Sequence, residues 1–194
     1  MRGRRKGRAT RPEAQSYVYV TNILSWDVSV IDTSTNTQVA AVGVGANPVG
    51  LAVTPNGAYV YVANFSSNNV SVISTANNTV VATIAVGTQP TGVAITPNGA
   101  TVYVTNSVSN DVSVIDVASN TVVSTIPVGS SPERVAVTPN GAYAYVVNET
   151  SNNVSVIENA ASIGRFTPAS ASATVTLTIG TQTGAATVPV RRSH

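Results

Sequence analysis

The sequence predicts an all-β fold and, within that class, a propeller of four-stranded antiparallel blades, about four in number. Three observations predict it. Val and Ile together number 45 of 194 residues, against three Leu, and β-branched side chains suit pleated sheets better than helices. Charged residues make up only 9%, far below the roughly 25% of an average soluble domain, and Ser, Thr and Asn supply the polarity. Residues 17 to 158 repeat with a period of 42, without insertion or deletion. A period near 40 with several short strands per unit marks propeller blades.

Each element follows from the copies. The segment Tyr19-Val20-Thr21-Asn22 returns at Tyr61, Tyr103 and Tyr145, and Val28-Ser29-Val30-Ile31 returns unchanged at Val70, Val112 and Val154. Thr54-Pro55-Asn56-Gly57 recurs at Thr96 and Thr138, and Val44-Gly45-x-x-Pro48 recurs at Val86 and Val128. One unit reads as strand a over 92–96, strand b over 101–106, strand c over 112–116 and strand d over 121–128. Pro-Asn-Gly joins a to b, because Pro presets φ and Gly accepts the left-handed position. The b strands carry apolar residues on both faces, as in Tyr59-Val60-Tyr61-Val62. Such a strand must be covered on both sides, which stacked blades achieve. All seven tyrosines lie in b strands, which assigns them to packing.

Residues 1–15 form a basic leader, expected to be disordered, which holds six of the ten basic residues. Residues 16–158 form the propeller repeats, and 159–194 a degenerate segment. Within that segment, residues 174–182 resemble strand d and its following turn, and residues 183–189 resemble strand a, at an offset of 92. Strands supplied there would close four blades by completing the first, which begins at strand b. Without that closure the chain is an open arc with two uncovered blade faces, suited to a homodimer, or a part of a longer propeller.

The repeat Tyr-Val-Thr-Asn, with Val-Ser-Val-Ile-Asp, Asn-Thr-Val-Val-x-Thr-Ile, Val-Gly-x-x-Pro and Ala-Val-Thr-Pro-Asn-Gly, resembles the YVTN family of β-propeller repeats. The resemblance covers residues 17 to 158. It implies about seven blades in a usual member, and a surface-layer, secreted or envelope protein. The expected location is therefore extracellular, at the cell surface or periplasmic.

Composition excludes several functions. There is no cysteine, and the single histidine is the terminal His194, which removes thiolate chemistry, disulfides and most routes to His-based catalysis. No apolar run approaches the 18 or so residues of a membrane span. Beyond the leader, four arginines face the eight acids less Glu13, which is no nucleic-acid footprint. Asp27 with Asp32, and Asp111 with Asp116, bracket c strands, face opposite sides and are read as turn caps. No metal, cofactor or catalytic residue is expected.

Loops b–c and d–a share one rim and vary between copies, whereas the Pro-Asn-Gly turns do not. That rim is the candidate binding face. Its candidate residues are Trp26, where other copies have Asn; Phe65, where they have Ile, Ser or Glu; Asn47 and Gln89 in the d–a loops; and Glu133-Arg134, which replace Val49-Gly50 and Thr91-Gly92 near the channel mouth. The expected function is a non-enzymatic scaffold presenting this rim to a protein or glycan partner. The alternatives are a propeller enzyme of the lactonase or lyase type, or a partial gene product without independent function. Such enzymes use histidines or gathered carboxylates, and only Glu133 is placed at the mouth by the repeat pattern.

Overall fold

Valine-rich segments separated by Asn, Ser and Gly turns fold into four antiparallel sheets in a computed structural model, which describes residues 16–159 and 173–175. Blade 1 holds β1 (Tyr17–Asn22), β2 (Asp27–Asp32) and β3 (Thr37–Gly43). Blade 2 holds β4 (Pro48–Val53), β5 (Tyr59–Asn64), β6 (Asn69–Ser74) and β7 (Thr79–Ala85). Blade 3 holds β8 (Pro90–Ile95), β9 (Thr101–Asn106), β10 (Asp111–Asp116) and β11 (Thr121–Pro127). Blade 4 holds β12 (Pro132–Val137), β13 (Tyr143–Asn148), β14 (Asn153–Glu158) and β15 (Ala173–Val175). The a, b, c, d order of the repeat is thus the strand order of the sheets. Strand β15 pairs antiparallel with β14, with Val175 opposite Val154. The 92-residue offset would have set Thr176 there, by analogy with the pairing of Ile84 with Val70. The basic leader and the strand expected over 183–189 lie outside the described residues.

The repeated motifs have local causes. In the a–b turn, Thr54 Oγ1 donates to Asn56 Oδ1 at 2.7 Å and accepts from Tyr59 N at 3.0 Å. Gly57 takes a φ of 71°, a conformation that costs a side-chain-bearing residue roughly 1–2 kcal/mol. At the b–c junction, Asn64 Nδ2 donates to Asn69 Oδ1 at 2.8 Å and to Ser71 Oγ at 2.9 Å. The same bonds join Asn22, Asn106 and Asn148 to their own blades. The Asn of each Tyr-Val-x-Asn and the Ser of each Val-Ser-Val-Ile therefore recur together because they bond to each other. A register shift recurs between the second Val and the Ile of strand c in blades 1 to 3, a bulge that sharpens the twist of the outer strand.

Blades stack through unlike faces. Tyr61, Ala63, Val70, Val72 and Ile84 of blade 2 pack on Val102, Val104 and Ile115 of blade 3. Val28, Val30 and Val42 of blade 1 pack on Val60, Val62 and Ile73 of blade 2. Tyr103 and Val112 of blade 3 pack on Ala144, Val146 and Ile157 of blade 4. Each blade thus offers its tyrosine row to the next blade and its valine row to the one before. Strands β5 and β9 are buried on both faces, as their two apolar rows require. The end blades alternate instead: Val18 and Val20 are exposed on β1, and Tyr143, Tyr145 and Val147 on β13. The described blades form an open arc.

Candidate functional site

Loops b–c and d–a occupy one rim and are stitched together by backbone hydrogen bonds. Phe65 N donates to Asn47 O at 2.9 Å, Ser107 N to Gln89 O at 2.9 Å, and Glu149 N to Ser131 O at 2.9 Å. Side chains complete the seams: Asn68 Oδ1 accepts from Gln89 N at 2.8 Å, and Asn110 Oδ1 from Ser131 N at 2.8 Å. The rim is therefore a rigid ledge running from blade 1 to blade 4.

The six sequence candidates fall at different points on it. Asn47 has φ of 53°; its Nδ2 donates to Ile23 O at 3.3 Å and its Oδ1 accepts from Ser66 Oγ at 2.7 Å. Its amide thereby ties blade 1 to blade 2. Gln89 takes the same left-handed conformation, with φ of 55°, and its backbone carries the seam between blades 2 and 3. Phe65 is half-buried beside Asn47. Trp26 is half-exposed, with φ of 58° where Asn68, Asn110 and Asn152 have φ of 51–57°. Beside it, Ile23 and Leu24 are exposed too, which makes the first b–c loop an apolar projection.

Glu133 and Arg134 lie at the start of β12 in blade 4, three blades along from Trp26 in blade 1. The structure brings a further residue to them, Glu149, in the b–c loop of the same blade. Burial pushes the Glu133 carboxyl above its ordinary range; the charge of Glu149 raises it further, and Arg134 opposes. The expectation that Glu133 stands alone among carboxylates at this point is corrected accordingly. Glu149 was visible in the sequence only as an acid where the other copies carry Ile23, Phe65 and Ser107. What hid the pairing is that β12 and the b–c loop meet through the a–b hydrogen-bonding register.

The aspartates serve the turns, as expected. Asn22 and Asn106 donate to Asp27 and Asp111 at 2.6 Å. Asp32 accepts from Ser34 N and Oγ. Ser119 donates to Asp116 through Oγ and N, which holds that carboxyl below its ordinary range. Among the described residues no group of three or more His, Cys, Asp or Glu could hold a metal ion, and no helix is long and apolar enough to cross a membrane.

A pattern for the family described as lactonase, 7-bladed β-propeller, matches residues 10–125 and 120–194. Nothing among curated proteins matches the chain. Solved structures do. Hydrazine synthase of Kuenenia stuttgartiensis is 28% identical, with a TM-score of 0.71 over 82% of this chain and 51% of that one. A candidate 6-phosphogluconolactonase from Bacteroides uniformis is 22% identical, with a TM-score of 0.67 over 78% and 49%. The dihydro-heme d1 dehydrogenase NirN, in complex with DHE, is 19% identical, with a TM-score of 0.65 over 78% and 35%. The last two share the fold alone. The chain spans about half the length of the first two. The lactonase match, with neighbours named as enzymes, overturns the expectations of a non-enzymatic scaffold and of a protein that is not an enzyme. Those expectations rested on the YVTN resemblance, the low charge and the lack of catalytic residue types such as histidine.

Proposed function

The chain belongs to the lactonase family of 7-bladed β-propellers, and from that premise we propose that it serves the hydrolysis of a cyclic ester at the blade-4 end of its rim. One observation carries the reading: Glu133 and Glu149 interact at the start of an inner strand, with Glu133 raised toward its protonated form. A carboxyl held above its ordinary range is suited to donate a proton in the transition state, and a neighbouring carboxylate to accept one. In this reading Glu149 accepts a proton from the attacking water, and the water oxygen bonds to the lactone carbonyl carbon. The ring C–O bond then breaks, and Glu133 supplies a proton to the departing ring oxygen. Water is consumed and an open hydroxy acid leaves.

Arg134 is the one basic side chain in residues 16–159. A phosphorylated substrate is normally gripped by several donors, often with bidentate arginine, so the reading favours an uncharged sugar lactone. At the finer level we assign the repeats to the YVTN type, supported by the four Tyr-Val-x-Asn copies and their Asn–Ser bonds.

Titrating the acid released from an uncharged aldonolactone tests the proposal. Replacing Glu133 by Gln should lower kcat by about a hundredfold or more, the usual contribution of a positioned acid. The rate should fall as pH climbs through the raised pKa of Glu133, because its protonated form is the active one. A Glu133→Gln, Glu149→Gln double variant that keeps the wild-type rate would exclude this pair.

A further inference from the structure

Two threonines buried between blades 3 and 4 hold the stretch of inner strand from which Glu133 projects. We propose that Thr91 and Thr105 are positioning residues for the hydrolysis, a relay of their hydroxyls fixing the two peptide groups that flank Glu133. The inference rests on the role proposed for Glu133 and adds the residues that set its direction.

Strand β12 does not run straight at this point. Pro132 pairs with Asn148 and Arg134 with the adjoining Val147, so Glu133 is the extra residue of a bulge. A bulge bends its strand and re-aims a side chain, and it leaves the extra residue unpaired in the ladder. What holds Glu133 in place must therefore come from elsewhere.

It comes from blade 3. Thr91 Oγ1 lies 3.2 Å from Pro132 O and 3.2 Å from Glu133 O. These carbonyls belong to the peptide groups on either side of the Glu133 Cα, so one hydroxyl spans both. Thr91 Oγ1 is also 3.0 Å from Thr105 Oγ1, which accepts from Gly92 N at 2.8 Å and lies 3.4 Å from Glu133 O. Each hydroxyl has a single proton to give. The order that serves every partner runs from Gly92 N–H to Thr105, from Thr105 O–H to Thr91, and from Thr91 O–H to the blade-4 carbonyls. Thr91 is 4% exposed and Thr105 wholly buried, and a hydrogen-bonded chain shielded from water is the kind that rigidifies its surroundings.

A glycine permits the approach. A Cβ at Gly92 would lie 2.8 Å from Glu133 O and 2.9 Å from Thr105 Oγ1, and one at Gly50 would overlap the Thr91 carbonyl oxygen. Only glycine fits where the inner strand of the next blade passes.

The other copies show that blade stacking does not require the relay. The counterpart of Thr91 in blade 2 is Val49, and those of Thr105 in blades 2 and 4 are Ala63 and Val147. Between blades 1 and 2, Thr21 Oγ1 donates straight to Val49 O at 2.9 Å. Between blades 2 and 3, Ala63 has no hydroxyl to offer, and the blades pack there all the same. Among the described blades, the paired hydroxyls occur where the next inner strand carries the acid.

Isotopic labelling of the glutamate carboxyl carbons, read by NMR, follows the titration of Glu133 without any substrate; the Glu133→Gln spectrum assigns its signal. Thr91→Val keeps the shape and removes the hydroxyl, and valine already occupies this place in blade 2. Burial and the charge of Glu149 hold the Glu133 carboxyl above its ordinary range, against Arg134. Released from the clamp, the side chain turns toward water, and its titration should move down toward the ordinary range. Thr91→Ser keeps the hydroxyl and should titrate as the wild type does. On an uncharged aldonolactone, Thr91→Val should lower kcat roughly tenfold or more at unchanged KM, the effect of misplacing a reacting group, and Thr91→Ser should restore it. An unchanged titration in Thr91→Val, or a serine variant that behaves like the valine one, overturns the positioning role. The two failures are distinguishable. Wild-type hydrolysis by Glu133→Gln removes the reading of Glu133 itself, whereas an inactive Glu133→Gln beside an unperturbed Thr91→Val removes only the clamp.

Discussion

Trp26 stands in a backbone conformation suited to the residue it replaces. Its φ of 58° lies in the left-handed region, which costs residues with a Cβ roughly 1–2 kcal/mol and is tolerated best by Gly and Asn. The corresponding Asn68 and Asn110 also accept a hydrogen bond from the next d–a loop, at Gln89 N and Ser131 N. Indole can only donate, so Trp26 cannot supply that bond to Asn47. The informative comparison is Trp26→Asn against Trp26→Ala, because both remove the same half-buried ring and leave the burial loss common to both. Asn should then recover about 1 kcal/mol of conformational cost and about 1 kcal/mol of hydrogen bonding. The difference of about 2 kcal/mol corresponds to roughly 4–8 °C in Tm for a domain of this size. Guanidinium unfolding followed by circular dichroism measures it, since both variants lack the only tryptophan. Equal stability of the two, or a more stable Ala variant, would refute the account of the b–c loop.

Two more consequences are open to measurement. Gly92→Ala should destabilise the chain by about 2 kcal/mol or more through overpacking of the inner strands against Glu133 and Thr105, whereas Arg134→Ala should leave the folding of the isolated arc nearly unchanged; thermal melts separate the two. Burial, aided by Tyr59 and Asp116, pushes the Tyr61 phenol up to about 12. Its folded pKa exceeds the unfolded value near 10, so its contribution to stability is complete below about pH 10 and is lost as pH rises toward 12. Tyr61→Phe should therefore flatten the alkaline decline in unfolding free energy, and an unaltered decline would show that Tyr61 is not its source.

The fold was legible because copies make a sequence its own alignment. Strand order and the Pro-Asn-Gly turn follow from which positions stay constant between units, and the b–c rim from which positions vary; hydrogen bonds such as Asn106 to Ser113 explain the constancy. The same comparison was weaker for the site. It singled out Trp26, Phe65, Glu133 and Arg134 as departures, yet a departure has more than one physical origin. Trp26 departs within a strained loop, and Glu133 departs together with Glu149, a pairing that becomes visible only when the a–b register is known. Arg134 departs because the glycine rule lapses where no described inner strand passes beside it. A repeat thus reveals its own interior readily, since every interior position answers to a neighbour of the same kind. Where a position answers to something other than a like blade, its substitution reports on that other contact, and in the proposed reading Glu133 and Glu149 depart together because a substrate meets the rim there.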